Sequence, residues 1–312
     1  MAEANWTSVS EFVLLGLSER QDLQPLIFAG LLATYLVNLI GNSVLLLAVW
    51  ADPQLHSPMY FLLSQLAVVD VSFASITQPQ ALVHALTHHR TVPFTSCMAQ
   101  LFLFLAMCNM EGYLLAAMAY DRYVAVCDPL RYSAVVTRSL CLKMTAASLA
   151  VVIPHSLLHT LMATQLRFCS NRPQHFFCNL QILLRLSCTW PYVHELVLGT
   201  EGVFVVLAPF AFILTSYIRI GMAVARLRSA QALRKALSTC SSHLAVVTLF
   251  YSTVVLPYVN RDSRNAPERD RVAAIFYTAV APALNPLIYS LRNKDVAAAL
   301  RRVRRKFLAQ GK

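Results

Sequence analysis

Residues 97–123 read CMAQLFLFLAMCNMEGYLLAAMAYDRY. Apart from Gln100, Asn109 and Glu111, the run is apolar or small until it meets Asp121-Arg122-Tyr123. An apolar run of about 20 residues is the length a helix needs to cross a ~30 Å hydrocarbon layer. A helix is also the form that satisfies every backbone hydrogen bond internally, which lipid cannot do. The run is therefore read as a membrane span whose polar residues turn away from lipid and whose charged triplet marks one membrane edge.

Six similar blocks lie to either side. With the first they cover roughly 26–50, 58–80, 97–122, 142–163, 197–219, 237–260 and 271–291. The fold class expected is an all-α membrane protein, a bundle of seven transmembrane helices. The composition agrees: 57% of the 312 residues are hydrophobic and 13% are charged, against roughly 25% charged in a soluble domain. The second, third and seventh blocks are less uniformly apolar, so their polar residues should face the bundle interior.

The net charge of +11 suggests nucleic acid until its distribution is examined. Segments 1–25, 81–96, 164–196 and 258–271 hold 9 Lys/Arg and 8 Asp/Glu, whereas the other side holds 17 and 4. The positive-inside rule places the N-terminus outside and the C-terminus in the cytosol of a multi-pass plasma-membrane protein. The basic run 301–306 then meets anionic headgroups instead of nucleic acid. No cleavable signal peptide is evident, so the first block should serve as its own insertion signal.

The division expected is an extracellular N-terminus (1–25), a seven-helix domain (26–291) and a basic cytosolic tail (292–312). In the tail Val296, Leu300, Val303 and Phe307 recur at helical spacing, which predicts a short amphipathic helix lying in the membrane interface. Asn5-Trp6-Thr7 is an N-glycosylation pattern on the outer side, marking Asn5. Cys97, Cys169, Cys178 and Cys188 also fall outside, where disulfides persist; four cysteines allow three pairings. His84/His88 and His155/His159 are i,i+4 pairs, a spacing that can hold Zn²⁺. The sequence offers neither a third ligand, and no zinc site is expected. His175 is expected to pack within its loop.

The charged triplet sits in Met118-Ala119-Tyr120-Asp121-Arg122-Tyr123-Val124-Ala125-Val126-Cys127-Asp128-Pro129-Leu130-Arg131-Tyr132. That stretch resembles the signature of olfactory (odorant) receptors, a branch of the rhodopsin-like G-protein-coupled receptors. Five further blocks carry the same resemblance in order: Gly41-Asn42, 55–61 with Asp70, Ser216-Tyr217, 235–244 and 282–293. Two departures stand out. Asp128 occupies a position usually held by His, and 229–234 lacks the usual acidic-Gly step, both on the side expected to couple.

The resemblance implies a receptor, not an enzyme, that binds an odorant and activates the olfactory stimulatory G protein, raising cyclic AMP. The alternative within the family is a non-olfactory chemosensory receptor. A transporter or channel is disfavoured by the lack of an inverted repeat, and an enzyme by the lack of a GxSxG or HExxH setting. The resemblance pairs Cys97 with Cys178 and Cys169 with Cys188. It assigns switching and coupling to Asp121, Arg122, Tyr123, Tyr217, Asn285, Pro286 and Tyr289. Pro286 should kink its helix and give Tyr289 room to move. Asp70 and Glu111 would either hold a sodium ion, the sole cofactor considered, or share a sodium-free hydrogen-bonded core with Asn285 and Asn42.

Resemblance and helical spacing together place a ligand pocket among Phe104, Leu105, Cys108, Asn109, Glu201, Val205, Tyr251, Val255, Tyr258 and Thr278. It should be mostly apolar with a few polar handles. Glu201, eight positions before Pro209 in an apolar run, either faces the pocket and favours amines or hydrogen-bond donors, or is a protonated, pore-facing or lipid-edge residue with no ligand role. The acid that related aminergic receptors carry on the third helix is absent; Phe104 stands there.

Overall fold

A computed structural model describes residues 9–17, 20–87, 90–188, 192–226, 230–255, 266–291 and 294–310. Asn5 and Tyr258 lie outside the described residues, as does the Val255 side chain. Twelve α-helices are described: α1 (Gln24–Ala51), α2 (Pro58–Thr87), α3 (Phe94–Cys127), α4 (Tyr132–Val135), α5 (Arg138–Thr164), α6 (Leu180–Arg185), α7 (Tyr192–Gly202), α8 (Ala208–Arg226), α9 (Ala230–Val255), α10 (Ala266–Ile275), α11 (Ala281–Leu291) and α12 (Lys294–Gln310). α7 and α8 form one continuous rod, and so do α10 and α11.

Six rods are long and apolar enough to span a membrane. α9 supplies a seventh through its apolar stretch Cys240–Val254, about 22 Å long at 1.5 Å per residue. The chain is a multi-pass membrane protein with a seven-helix bundle. The helices outrun the apolar blocks at their ends because backbone hydrogen bonding continues past the lipid layer. Large apolar side chains point outward, Trp50 at 78% exposure and Phe204 at 72%, a pattern suited to lipid. Polar residues of the second, third and seventh spans point inward: Asp70, Gln78, Glu111 and Asn285 are all buried.

Prolines set the shape of two spans. Proline has no N–H, so the carbonyl four residues earlier loses its helical partner. Upstream of Pro209 and of Pro282 the helix widens into π-turns, Val203–Leu207 and Phe276–Val280. The carbonyl opposite Pro282 belongs to Thr278, and Gln78 of α2 donates to it at 3.0 Å. α1 approaches the same rod closely: a Cβ on Gly41 would lie 2.8 Å from Pro286 Cγ.

A lid covers the end of the bundle that carries the N-terminal segment. β1 (Glu11–Val13) pairs antiparallel with β2 (Thr91–Pro93), and Phe12 is fully buried between Phe94 and Phe168. Val13, Leu15 and Gly16 then donate to the carbonyls of Asn171, Pro173 and His175. Gly16 adopts φ +79° there, a conformation that favours glycine. Disulfides Cys97–Cys178 and Cys169–Cys188 pin the 165–188 segment, matching the pairing implied by the resemblance. α6 is capped by Asn179, which accepts from Ile182 N at 3.0 Å. Arg185 at its other end meets Asp270 of α10 at 2.8 Å.

α12 forms, but Val296, Ala299 and Val303 are buried against the bundle, and Leu300 packs on the same core. The described part of the apolar stripe, Val296, Leu300 and Val303, packs on protein. An ion pair holds it there: Arg302 reaches Asp52, beyond α1, at 2.7 Å. At least that residue of the basic run is taken by a carboxylate rather than by lipid.

Candidate functional site

Beneath the lid lies a cavity of about 410 Å³, within the range of small-molecule sites. α3 forms one wall with Phe104, Leu105, Cys108 and Asn109, the four residues expected there. The last turns of α7 and the π-turn after it form the opposite wall, through Leu198, Gly202 and Val206. Val254 and Tyr277 close the side, and α6 supplies Leu180 and Gln181 as a roof.

The other described residues expected in the lining lie elsewhere. Val205 is buried outside the cavity and Val206 lines it; Thr278 is buried and Tyr277 lines it. Each pair is adjacent in sequence and lies in a π-turn. One residue rotates the helix by about 100°, so a widened turn shifts the phase that regular spacing predicts. Tyr251 sits outside the lining, its ring 4.6 Å from that of Phe210. Glu201 turns away from the cavity toward α5, with Oε2 3.1 Å from His155 Nδ1 and 3.4 Å from His159 Nε2. The acidic lining residue is Glu195. His155 and His159 thus have the third neighbour that the sequence did not reveal.

The cavity is chiefly apolar, with a few polar groups. Asn109 already donates to its own helix at Leu105 O. The Gln181 Nε2 amide is buried and makes no hydrogen bond. Sequence spacing missed Gln181, because it belongs to a loop helix positioned by disulfides and not by a spanning period.

Below the cavity the buried polar residues gather. Asn285 donates to both Asp70 carboxylate oxygens at 3.0 and 3.1 Å. Asn38 donates to the Asp70 carbonyl, and Asn42 to the Asn38 carbonyl. Asn42 therefore reaches the cluster through Asn38, which the sequence reading did not single out. Glu111 Oε1, Asn38 Oδ1 and Asn285 Oδ1 are buried acceptors without a hydrogen-bond donor. The Tyr289 hydroxyl is likewise buried and unpartnered.

At the far end of α3, Asp121 is buried beside Arg122, 3.6 Å from its Nε. Tyr132 of α4 donates to Asp121 at 2.7 Å. Burial foremost, then the neighbouring Asp121 charge, holds the Tyr132 hydroxyl well above its ordinary pKa, so it stays a donor. Tyr217 of α8 lies 2.7 Å from His243 Nδ1, and His243 Nε2 lies 3.0 Å from the Leu115 carbonyl. A carbonyl only accepts, so Nε2 carries the hydrogen and donates to Leu115. Tyr132 and His243 occur in the quoted sequence blocks, but only the packing reveals what they hold. Tyr123 packs against the Ile220–Val224–Cys240 cluster between α8 and α9.

Seven apolar rods surround a covered cavity, with buried polar residues below it and the Asp121–Arg122 pair at the opposite end, the build of a membrane helix bundle. A family model described as olfactory receptor matches residues 31–307. The chain is 46% identical to olfactory receptor 1f45 of Rattus norvegicus over 304 residues, 97% of each chain. It is 42% identical to human olfactory receptor 1J1, covering 97% of this chain and 94% of that one. Human olfactory receptor 1L1 is 44% identical over 311 residues, 99% of this chain and 86% of that one. The chain belongs to the olfactory receptor family: it is an odorant receptor, and it is not an enzyme.

Proposed function

We propose that a small, mostly apolar organic molecule binds in the cavity under the lid and shifts the helix bundle toward coupling with the olfactory stimulatory G protein, raising cyclic AMP. The cavity itself carries the reading: it is roofed by a disulfide-pinned segment and contains an unsatisfied buried donor, Gln181. Phe104, Leu105, Cys108 and Asn109 contact the ligand from α3. Arg122 is the coupling residue, restrained by Asp121, which is itself held by Tyr132. Tyr123, Tyr217, Asn285, Pro286 and Tyr289 move with it as the bundle rearranges.

The lid end faces outward, because the opposite side carries the excess of Lys and Arg. Asp70 and Glu111 hold a sodium ion; the acceptors left without donors around them favour a cation over a further hydrogen-bond acceptor. A cyclic AMP reporter in cells expressing the receptor, challenged with a broad odorant panel, tests the main reading. A response in wild type that Arg122→Ala abolishes is expected. Full responses in Arg122→Ala overturn the switch assignment, and silence of surface-expressed wild type across the panel overturns the ligand class.

A further inference from the structure

Beside the cavity, and outside the switch, three metal-binding side chains converge. His155 and His159 lie one turn apart on the same face of α5, and Glu201 reaches them from the last turn of α7. His155 Nδ1 and His159 Nε2 are 3.1 and 3.4 Å from one carboxylate oxygen, and one ligand atom from each residue lies within 4.8 Å of the others. Ligand atoms 2.0–2.1 Å from a tetrahedral zinc sit about 3.3 Å apart. Both His–Glu separations match that spacing, and the His–His separation is no more than 4.8 Å.

Hydrogen bonding between Glu201 and His155 accounts for only part of this arrangement. His159 is 1% exposed, yet neither of its ring nitrogens makes a hydrogen bond. Buried polar atoms are rarely left so, and a ligated ion would engage Nε2. His194, also on α7, is already turned to the Met162 carbonyl at 2.9 Å, so it does not complete the set. His155 lines the cavity, which leaves the fourth coordination position open to water or to a donor atom of a molecule inside.

We propose that His155, His159 and Glu201 form a site for a divalent cation of the zinc class, clamping α5 to α7 at the cavity wall. Two imidazoles and a carboxylate suit Zn²⁺, and Cu²⁺ more tightly; Mg²⁺ and Ca²⁺, which prefer oxygen, are excluded. The site does not depend on which odorant the cavity takes or on the odorant reading.

The test is titration of the purified full-length receptor in nanodiscs with Zn²⁺ against a chromophoric chelator. Wild type should take up one Zn²⁺ that excess Mg²⁺ does not displace. His159→Gln and Glu201→Gln should each weaken uptake at least about tenfold, while His194→Gln leaves it unchanged. Cobalt added to wild type should give the intense visible bands of a four-coordinate ion, a readout that needs no variant to fold. Wild type without zinc uptake, a weak six-coordinate cobalt spectrum, or unchanged uptake in folded His159→Gln and Glu201→Gln would each overturn the proposal.

Discussion

Individual side chains at the two ends of α3 carry separable consequences. Gln181 offers the cavity a buried donor with no partner of its own. A neutral hydrogen bond contributes about 1 kcal/mol, or roughly fivefold in potency. Gln181→Leu should therefore weaken ketone and ether odorants by about that factor while hydrocarbons of the same shape keep their potency. Paired dose–response curves decide it, and equal shifts for both classes would remove the residue from recognition. At the other end, Tyr132→Phe deletes the donor to buried Asp121. Leaving that carboxylate short should cost about 1–3 kcal/mol, lowering the unfolding temperature and raising ligand-free cyclic AMP. Unchanged basal signal would mean that Tyr132 does not restrain the Asp121–Arg122 pair.

Helices and their interruptions set which residues meet. Gly41 lets α1 approach the α10–α11 rod until a Cβ would overlap the Pro286 ring. That ring is bonded into its own backbone and cannot swing aside. Gly41→Ala should cost about 1–3 kcal/mol of overpacking strain, visible as reduced surface expression and thermal stability. Wild-type behaviour would mean that the two rods separate freely. The π-turn before Pro209 makes a sharper forecast. Val206→Phe places bulk in the cavity and should shift the dose–response for the largest active odorants at least about tenfold, sparing small ones. If the helix were regular, Val205→Phe would have that size-selective effect instead, and comparing the two variants distinguishes the phases. Composition and hydropathy located the seven spans, with ends that the structure extends by up to seven residues, since lipid imposes length and apolarity directly on the sequence. They could not supply rotational phase after a widened turn, nor the inward docking of α12, which depends on Asp52 finding Arg302 across the fold.

The lid gives the whole molecule a pH dependence. His175 is buried in it, stacked on Phe176. Burial foremost, with the Arg271 and Arg185 charges nearby, depresses its pKa from 6.5 to about 3. Between those values the unfolded chain binds a proton that the folded lid refuses, so stability rises with pH across that window. The contribution is fully present above 6.5 and is lost as pH falls toward about 3. Thermal unfolding of the purified receptor should show a lower midpoint at pH 5 than at pH 7.5, and His175→Phe should reduce that difference. An undiminished difference in the variant would assign it to other groups.

The sequence by itself determined that this chain crosses a membrane seven times, that Asp121-Arg122-Tyr123 stands at one edge, and which family it resembles. Each of these is a local property: an apolar run, a charge count, a contiguous motif. Only the tertiary structure decided that Glu201 faces two histidines instead of the cavity, that Gln78 satisfies the carbonyl freed by Pro282, and that Gln181 roofs the cavity. Such pairings join residues 46 to 200 positions apart or rest on a disulfide-held loop. No periodicity in one helix encodes the phase of its neighbour. That phase is fixed only when buried polar groups and close-packed rings must all find partners at once.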